Sequence, residues 1–153
     1  MGQIKMKAEA VLAARPENVY ATIADYHHGH PAILPKGYIY DLQVEQGGYG
    51  AGTVHRFKAR ILGVERSFYQ RVSEPEPGRV LTEQDIDSPQ QVATTFTVTP
   101  LEQGQKSRVE ISTTMNASPG MQGVVERIII PIANTRVYRK ELKLLEEVAR
   151  NRV

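Results

Sequence analysis

The sequence predicts an α+β fold in which a curved, seven-stranded antiparallel sheet wraps around a long C-terminal helix, with two short helices after the first strand. Three observations carry this reading. From residue 38 onward, apolar and polar residues alternate with period 2, and turn signals recur about every ten residues, as in an antiparallel meander. The last thirty or so residues change to helical spacing. Between the first alternating segment and the meander lies a proline-marked helix start.

Residues 3–13 read as the first strand, because Ile4, Met6, Ala8, Ala10 and Leu12 share one face while Lys5, Lys7 and Glu9 share the other. Arg15-Pro16-Glu17-Asn18 then opens a helix that reaches about Asp25. Its proline stands in the first turn and Glu17 near the positive end of the dipole. Residues 26–35 carry three histidines and two prolines, so this segment is expected to be a second short helix or an ordered loop packed back on the domain. Six strands follow at about 38–46, 52–62, 65–74, 79–86, 91–100 and 107–116. They are separated by glycine- and proline-rich turns such as Gly47-Gly48-Tyr49-Gly50 and Pro75-Glu76-Pro77-Gly78. Ser118-Pro119 is placed to cap a helix over 120–150, with an apolar stripe of Val124, Ile128, Ile132, Leu142, Leu145 and Ala149. Pro131 lies inside that helix and removes one amide donor.

The bounds agree with one domain. The chain has 153 residues, about one domain's worth, and its 41% hydrophobic and 24% charged residues are near the globular average. A formal charge of +2, with both signs interspersed, gives no electrostatic case for nucleic acid. Cysteine is absent, which excludes disulfides, thiolate metal sites and cysteine nucleophiles. The segment Met1-Gly2-Gln3-Ile4-Lys5-Met6-Lys7 lacks the continuous apolar stretch of a signal peptide, so a cytoplasmic location is expected. The run Ile128-Ile129-Ile130-Pro131-Ile132-Ala133 is far below the ~18 residues that span a bilayer, so no stable membrane insertion is expected. Monomer and dimer are both compatible with the composition.

Three segments and the terminal helix carry a family likeness. They are Ala14-Arg15-Pro16-Glu17-Asn18-Val19-Tyr20 after the first strand, Gly50-Ala51-Gly52-Thr53-Val54 opening the third, and Val72-Ser73-Glu74-Pro75-Glu76-Pro77-Gly78-Arg79 at a hairpin. In this order of elements the chain resembles, over its whole length, the helix-grip fold of the START-like or SRPBCC superfamily, which includes polyketide cyclase/dehydrase-like proteins. The resemblance implies a scaffold with an internal cavity. It leaves a binding protein and an aldol cyclase or dehydratase as alternatives, since one fold hosts many functions.

Parity indicates what would line such a cavity. On the third strand Thr53, His55, Phe57 and Ala59 share a face, opposite the cations Arg56, Lys58 and Arg60, which belong in water. The matching inward positions are Phe68, Gln70 and Val72, then Leu81 and Glu83, then Thr94, Phe96 and Val98, and last Val109, Ile111, Thr113 and Met115. Taken singly, each apolar member is by default core rather than cavity wall. The polar members are more informative, because an unpaired buried polar group costs about 1–3 kcal/mol and needs a partner. They could pair with one another, or with water or a ligand.

His27, His28 and His30 do not complete a four-ligand metal site with any other histidine or cysteine cluster, so no metal is expected. His30 is instead expected beside the cavity mouth, with Tyr26 packed beneath it. Arg136, Arg139, Lys140 and Lys143, with Glu141, Glu146 and Glu147 adjacent, read as a solvated helix face with i,i+4 pairs. No nucleophile elbow, phosphate loop or dinucleotide fingerprint occurs, and no cofactor is expected. The resulting expectation is a binder of a small hydrophobic or amphipathic ligand. Its apolar walls come from Phe57, Phe68, Phe96, Met115, Ile128 and Ile132 and its orienting groups from His55, Thr94 and Thr113, with Tyr26, His30, Glu83 and Arg136 also expected among the ligand-binding residues. On the cyclase alternative, His55, Glu83 and Arg136 would move protons.

Overall fold

A computed structural model describes residues 2–152. The elements in chain order are β1 (Gln3–Leu12), α1 (Pro16–Ala24), α2 (Gly29–Ile33), β2 (Ile39–Gln46), β3 (Val54–Ile61), β4 (Val64–Glu76), β5 (Val80–Asp85), β6 (Ala93–Leu101), β7 (Lys106–Asn116) and α3 (Met121–Arg150). One 3-10 turn, Glu102–Gly104, joins β6 to β7.

The sheet runs β1-β7-β6-β5-β4-β3-β2 with every neighbouring pair antiparallel. β2 through β7 form one uninterrupted meander, and β1 closes it by pairing with β7. The two ends of the first connection therefore lie on opposite edges of the sheet, and α1 and α2 carry the chain across. This is the helix-grip architecture, with α3 held against the concave face.

The core follows from strand parity. Val72, Leu81, Phe96, Val98, Val109 and Ile111 point inward from β4 to β7 and meet Val19 and Ile23 of α1 and Leu142, Leu145 and Ala149 of α3. On β1, Ile4, Met6, Ala8 and Leu12 are buried while Lys5, Lys7 and Glu9 are exposed. The C-terminal half of α3 thus seals one end of the sheet.

The N-terminal half of α3 departs from the expected stripe. Val124, Ile128 and Ile132 are solvent-facing, the last two at 62% and 57% exposure. Ile132 lies nine residues, or two and a half turns, before the buried Glu141, which puts the two on opposite sides of the helix. The stripe that packs inward instead runs through Val137, Glu141, Leu142, Leu145 and Ala149. The start of α3 also differs from expectation. Ser118 is not an N-cap; its backbone N–H and its hydroxyl both donate to the Glu126 carboxylate at 2.8 Å. No helix among the described residues is long and apolar enough to cross a membrane.

Candidate functional site

Sheet curvature leaves space between the concave face and the N-terminal half of α3. The result is a cavity of about 310 Å³, within the usual range for small-molecule sites. Phe57, Ala59, Phe68, Phe96 and Met115 line it from the sheet, Leu34, Ile39 and Leu42 from the segment after α2, and Ile130, Val137 and Tyr138 from α3. Leu62, Val64, Val125 and Ile129 line it as well and are exposed, so they border its open end.

The buried polar side chains gather at the other end, and local structure puts them there, whereas the lining residues Arg66, Gln122, Glu126 and Asn134 are exposed or half-buried. The Asp25 carboxylate accepts from the backbone N–H groups of His27 and His28 at 3.2 Å. The Tyr26 N–H donates to the Gly48 carbonyl at 2.9 Å, and the His30 N–H to the Asp25 carbonyl at 2.7 Å. Gly29 lies against α1 so closely that a Cβ there would stand 2.5 Å from the Thr22 carbonyl oxygen. This approach turns Tyr26 and His30 inward and leaves His27 and His28 exposed. His30 is therefore inside the domain, at 3% exposure, rather than at the mouth. A five-residue helix packed on α1, invisible to periodicity at that length, is the reason.

His30 and Tyr26 stack at 4.3 Å between ring centroids, and His55, Phe57 and Phe68 extend the aromatic line along β3 and β4. Phe96 meets His30 edge-on. His30 Nδ1 lies 2.7 Å from the Ile23 carbonyl, which can only accept, so Nδ1 carries the proton and Nε2 faces inward. At the centre is Glu83 on β5. Its Oε2 accepts from the Tyr26 hydroxyl at 2.6 Å and lies 3.4 Å from His30 Nε2 and 3.5 Å from His55 Nε2.

Two rows of cross-strand partners flank this centre. His55, Gln70 and Asp85 are register neighbours across β3, β4 and β5, and the Gln70 amide donates to Asp85 at 2.9 Å. Glu83, Thr94 and Thr113 are register neighbours across β5, β6 and β7. The threonine hydroxyls pair at 2.8 Å, and Thr113 pairs with the Tyr138 hydroxyl at 2.6 Å. Burial pushes the Tyr138 phenol up to about 12, so it stays a neutral hydroxyl.

Four polar atoms around the cavity have no hydrogen-bond partner among the described residues: both ring nitrogens of His55, Gln70 Oε1 and Glu141 Oε2. Burial pulls the His55 imidazole below its usual value, against the opposing attraction of Glu83, and so favours the neutral ring. Burial, and then the charge of Glu83, push the Glu141 carboxyl well above the carboxylate range and favour the protonated acid. In these favoured forms the closed end presents a neutral imidazole, a carboxylic acid and an amide oxygen.

Of the residues expected from sequence, His30, His55, Phe57, Phe68, Glu83, Thr94, Phe96, Thr113 and Met115 face this cavity. Tyr26 stands behind the wall and holds Glu83. Ile128, Ile132 and Arg136 do not reach it, because they project from the solvent side of α3. Sequence reasoning placed Glu141 on a solvated face, whereas it is 4% exposed and lines the cavity. The available signal was its place between Val137 and Leu145, four residues from each, on the stripe that packs inward.

A family model described as polyketide cyclase / dehydrase and lipid transport matches residues 3–150. No curated protein sequence matches the chain. Among solved structures, the chain is similar to the KanY protein, with 29% identity, TM-score 0.82, and 97% of this chain and 99% of that one covered. It is also similar to TTHA0849 of Thermus thermophilus, with 22% identity, TM-score 0.78 and coverage of 95% and 96%. The Zhui aromatase/cyclase from Streptomyces sp. R1128 shares the fold at 15% identity, TM-score 0.78 and coverage of 97% and 94%.

Proposed function

This chain belongs to the polyketide cyclase / dehydrase and lipid transport family, and from that premise we propose that it binds one small, largely apolar molecule between the sheet and α3. The observation that carries this reading is the cavity of about 310 Å³ whose walls are mostly apolar and whose buried polar groups lie together at one end. That is the usual composition of a small-molecule site, where apolar area supplies affinity and a few polar groups fix orientation. Phe57, Phe68, Phe96 and Met115 would supply the apolar contact, and His55 and Glu141 the orientation.

Native mass spectrometry of the purified protein, followed by organic extraction, tests this directly. A bound small molecule is expected, and it should be lost when Phe57→Trp and Phe68→Trp fill the space. A protein that carries nothing, and whose melting temperature does not move with any member of a lipid and polyketide panel, would remove the reading.

A second reading, chemistry of the cyclase or dehydratase kind, is favoured by one observation. A neutral imidazole and a carboxyl held protonated line the same cavity, which is a base and an acid each favoured in its uncharged form. Turnover of a β-hydroxy or poly-β-carbonyl substrate that disappears in His55→Phe would establish it.

A further inference from the structure

We propose that the polar end of the bound molecule is a neutral hydroxyl, alcoholic or phenolic, seated between His55 and Glu141, and that carboxylate- and ammonium-bearing molecules are excluded. This inference rests on the binding reading above and narrows its ligand class.

The argument is one of hydrogen-bond matching at a site that water reaches poorly. His55 is fully buried with both ring nitrogens unpartnered, and Glu141 is 4% exposed with Oε2 unpartnered. Both line the cavity, and both lie within the electrostatic reach of Glu83. A neutral imidazole presents one N–H donor and one lone pair, and a protonated carboxyl presents an O–H donor. Gln70 Oε1 adds an acceptor on the strand next to His55. The site therefore needs a partner that both donates and accepts.

A hydroxyl does both: its oxygen accepts from the Glu141 O–H, and its hydrogen goes to the free nitrogen of His55 or to Gln70 Oε1. A carboxylate only accepts. It would leave those acceptors unmet and bring a negative charge toward Glu83. Arg66, the one lysine or arginine among the described lining residues, is on the exposed hairpin, and Arg136 points to solvent. An ammonium only donates: the charge of Glu83 would attract it, but Glu83 Oε2 already accepts from the Tyr26 hydroxyl, and the Glu141 O–H and the His55 N–H would be left facing a cation. A hydrocarbon would leave all of them unsatisfied, at the penalty that buried orphan groups carry.

The test is displacement of a neutral fluorophore, N-phenyl-1-naphthylamine, from the intact protein at neutral pH by four compounds on one skeleton: 2-naphthol, naphthalene, 2-naphthoate and 2-naphthylmethylammonium. The naphthol should displace at a concentration at least about tenfold below the other three, the effect of one buried hydrogen-bond set. Glu141→Leu and His55→Phe should bring the naphthol to within about threefold of naphthalene, while Glu141→Gln, which keeps a donor, should hold most of the preference. Naphthalene equal to naphthol, or either charged compound equal to it, overturns the inference while leaving the binding reading in place. Failure of the fluorophore and of every competitor to bind overturns both.

Discussion

The Tyr26 hydroxyl donates to Glu83 Oε2 at 2.6 Å, and so ties the turn between the two short helices to the middle of the sheet. The residues are 57 positions apart, and the bond closes the buried end of the cavity. Glu83, in mid-sheet with 5% exposure, has to be met by a donor; the Tyr26 hydroxyl supplies it, with His30 Nε2 and His55 Nε2 standing 3.4 and 3.5 Å away. Burial and the neighbouring Glu83 charge push the Tyr26 phenol well above its ordinary value, so it remains a donor.

Tyr26→Phe keeps the ring stack and removes only that donor. A hydrogen bond to a charged group contributes roughly 1.5–3 kcal/mol, and the variant should lose about that much stability in urea denaturation. In a double-mutant cycle with Glu83→Gln, the two losses should fall well short of adding, because both remove the same contact. Additive losses would mean that the pair is not coupled.

Gly29→Ala introduces a methyl where there is backbone 2.5 Å away and no flexible side chain to yield. α2 has to move off α1, at about 1–3 kcal/mol for overpacking. His30 moves with it, away from Glu83. A thermal melt should show the loss, and the His30 imidazole resonances should shift in NMR spectra. An unchanged melting temperature would contradict the packing.

His55 makes stability fall on the acid side. Its folded-state value lies below the ordinary 6.5, so below about pH 6.5 the unfolded chain takes up a proton that the folded ring resists. Folding stability from this group is complete above that pH and declines as the pH drops. His55→Phe should flatten the decline between pH 7.5 and pH 5 in a urea series. A decline as steep as in the parent protein would assign it to other groups.

Glu141 acts in the opposite sense. Its folded-state value lies well above the ordinary 4.5, so below about pH 4.5 both states hold the proton and the group is neutral in effect. As the pH rises above that, the unfolded chain releases the proton while the folded one keeps it, and stability falls. Glu141→Gln should therefore match the parent near pH 4 and exceed it in stability at pH 8. The reverse ordering would show that the carboxyl is ionised and partnered in the folded protein.

Much of this was legible in the sequence, for reasons that differ by element. β3 to β7 could be phased because their faces differ sharply: His55, Phe57 and Ala59 alternate with Arg56, Lys58 and Arg60, and Thr94, Phe96 and Val98 with less buried threonines. The closed end was only half legible. His55 and Glu83 stand out as polar residues on apolar faces, but the Tyr26 bond and the approach of His30 to Glu83 depend on Gly29 allowing α2 against α1, a contact with no period. Glu141 was hidden by its neighbours. Arg139, Lys140 and Lys143 give that stretch the look of a solvated face, while the buried stripe passes between them.

The phase of α3 supplies the last prediction, because the expected and observed stripes make opposite claims about the same residues. Were Ile132 a wall residue, Ile132→Ser would open a buried site and cost several kcal/mol. At 57% exposure it should change stability by no more than about 0.5 kcal/mol, as surface substitutions do. Leu145→Ala, at a fully buried position on the other side of the helix, should cost about 2–5 kcal/mol through lost contact and a residual void. Val137→Ala should fall between them, since Val137 is buried but borders a cavity that already exists. The order of the three midpoints in guanidinium chloride, with Ile132→Ser at the parent value and Leu145→Ala lowest, fixes which face of α3 meets the sheet. A large loss at Ile132 with little at Val137 would turn the helix by half a rotation and take Glu141 out of the site.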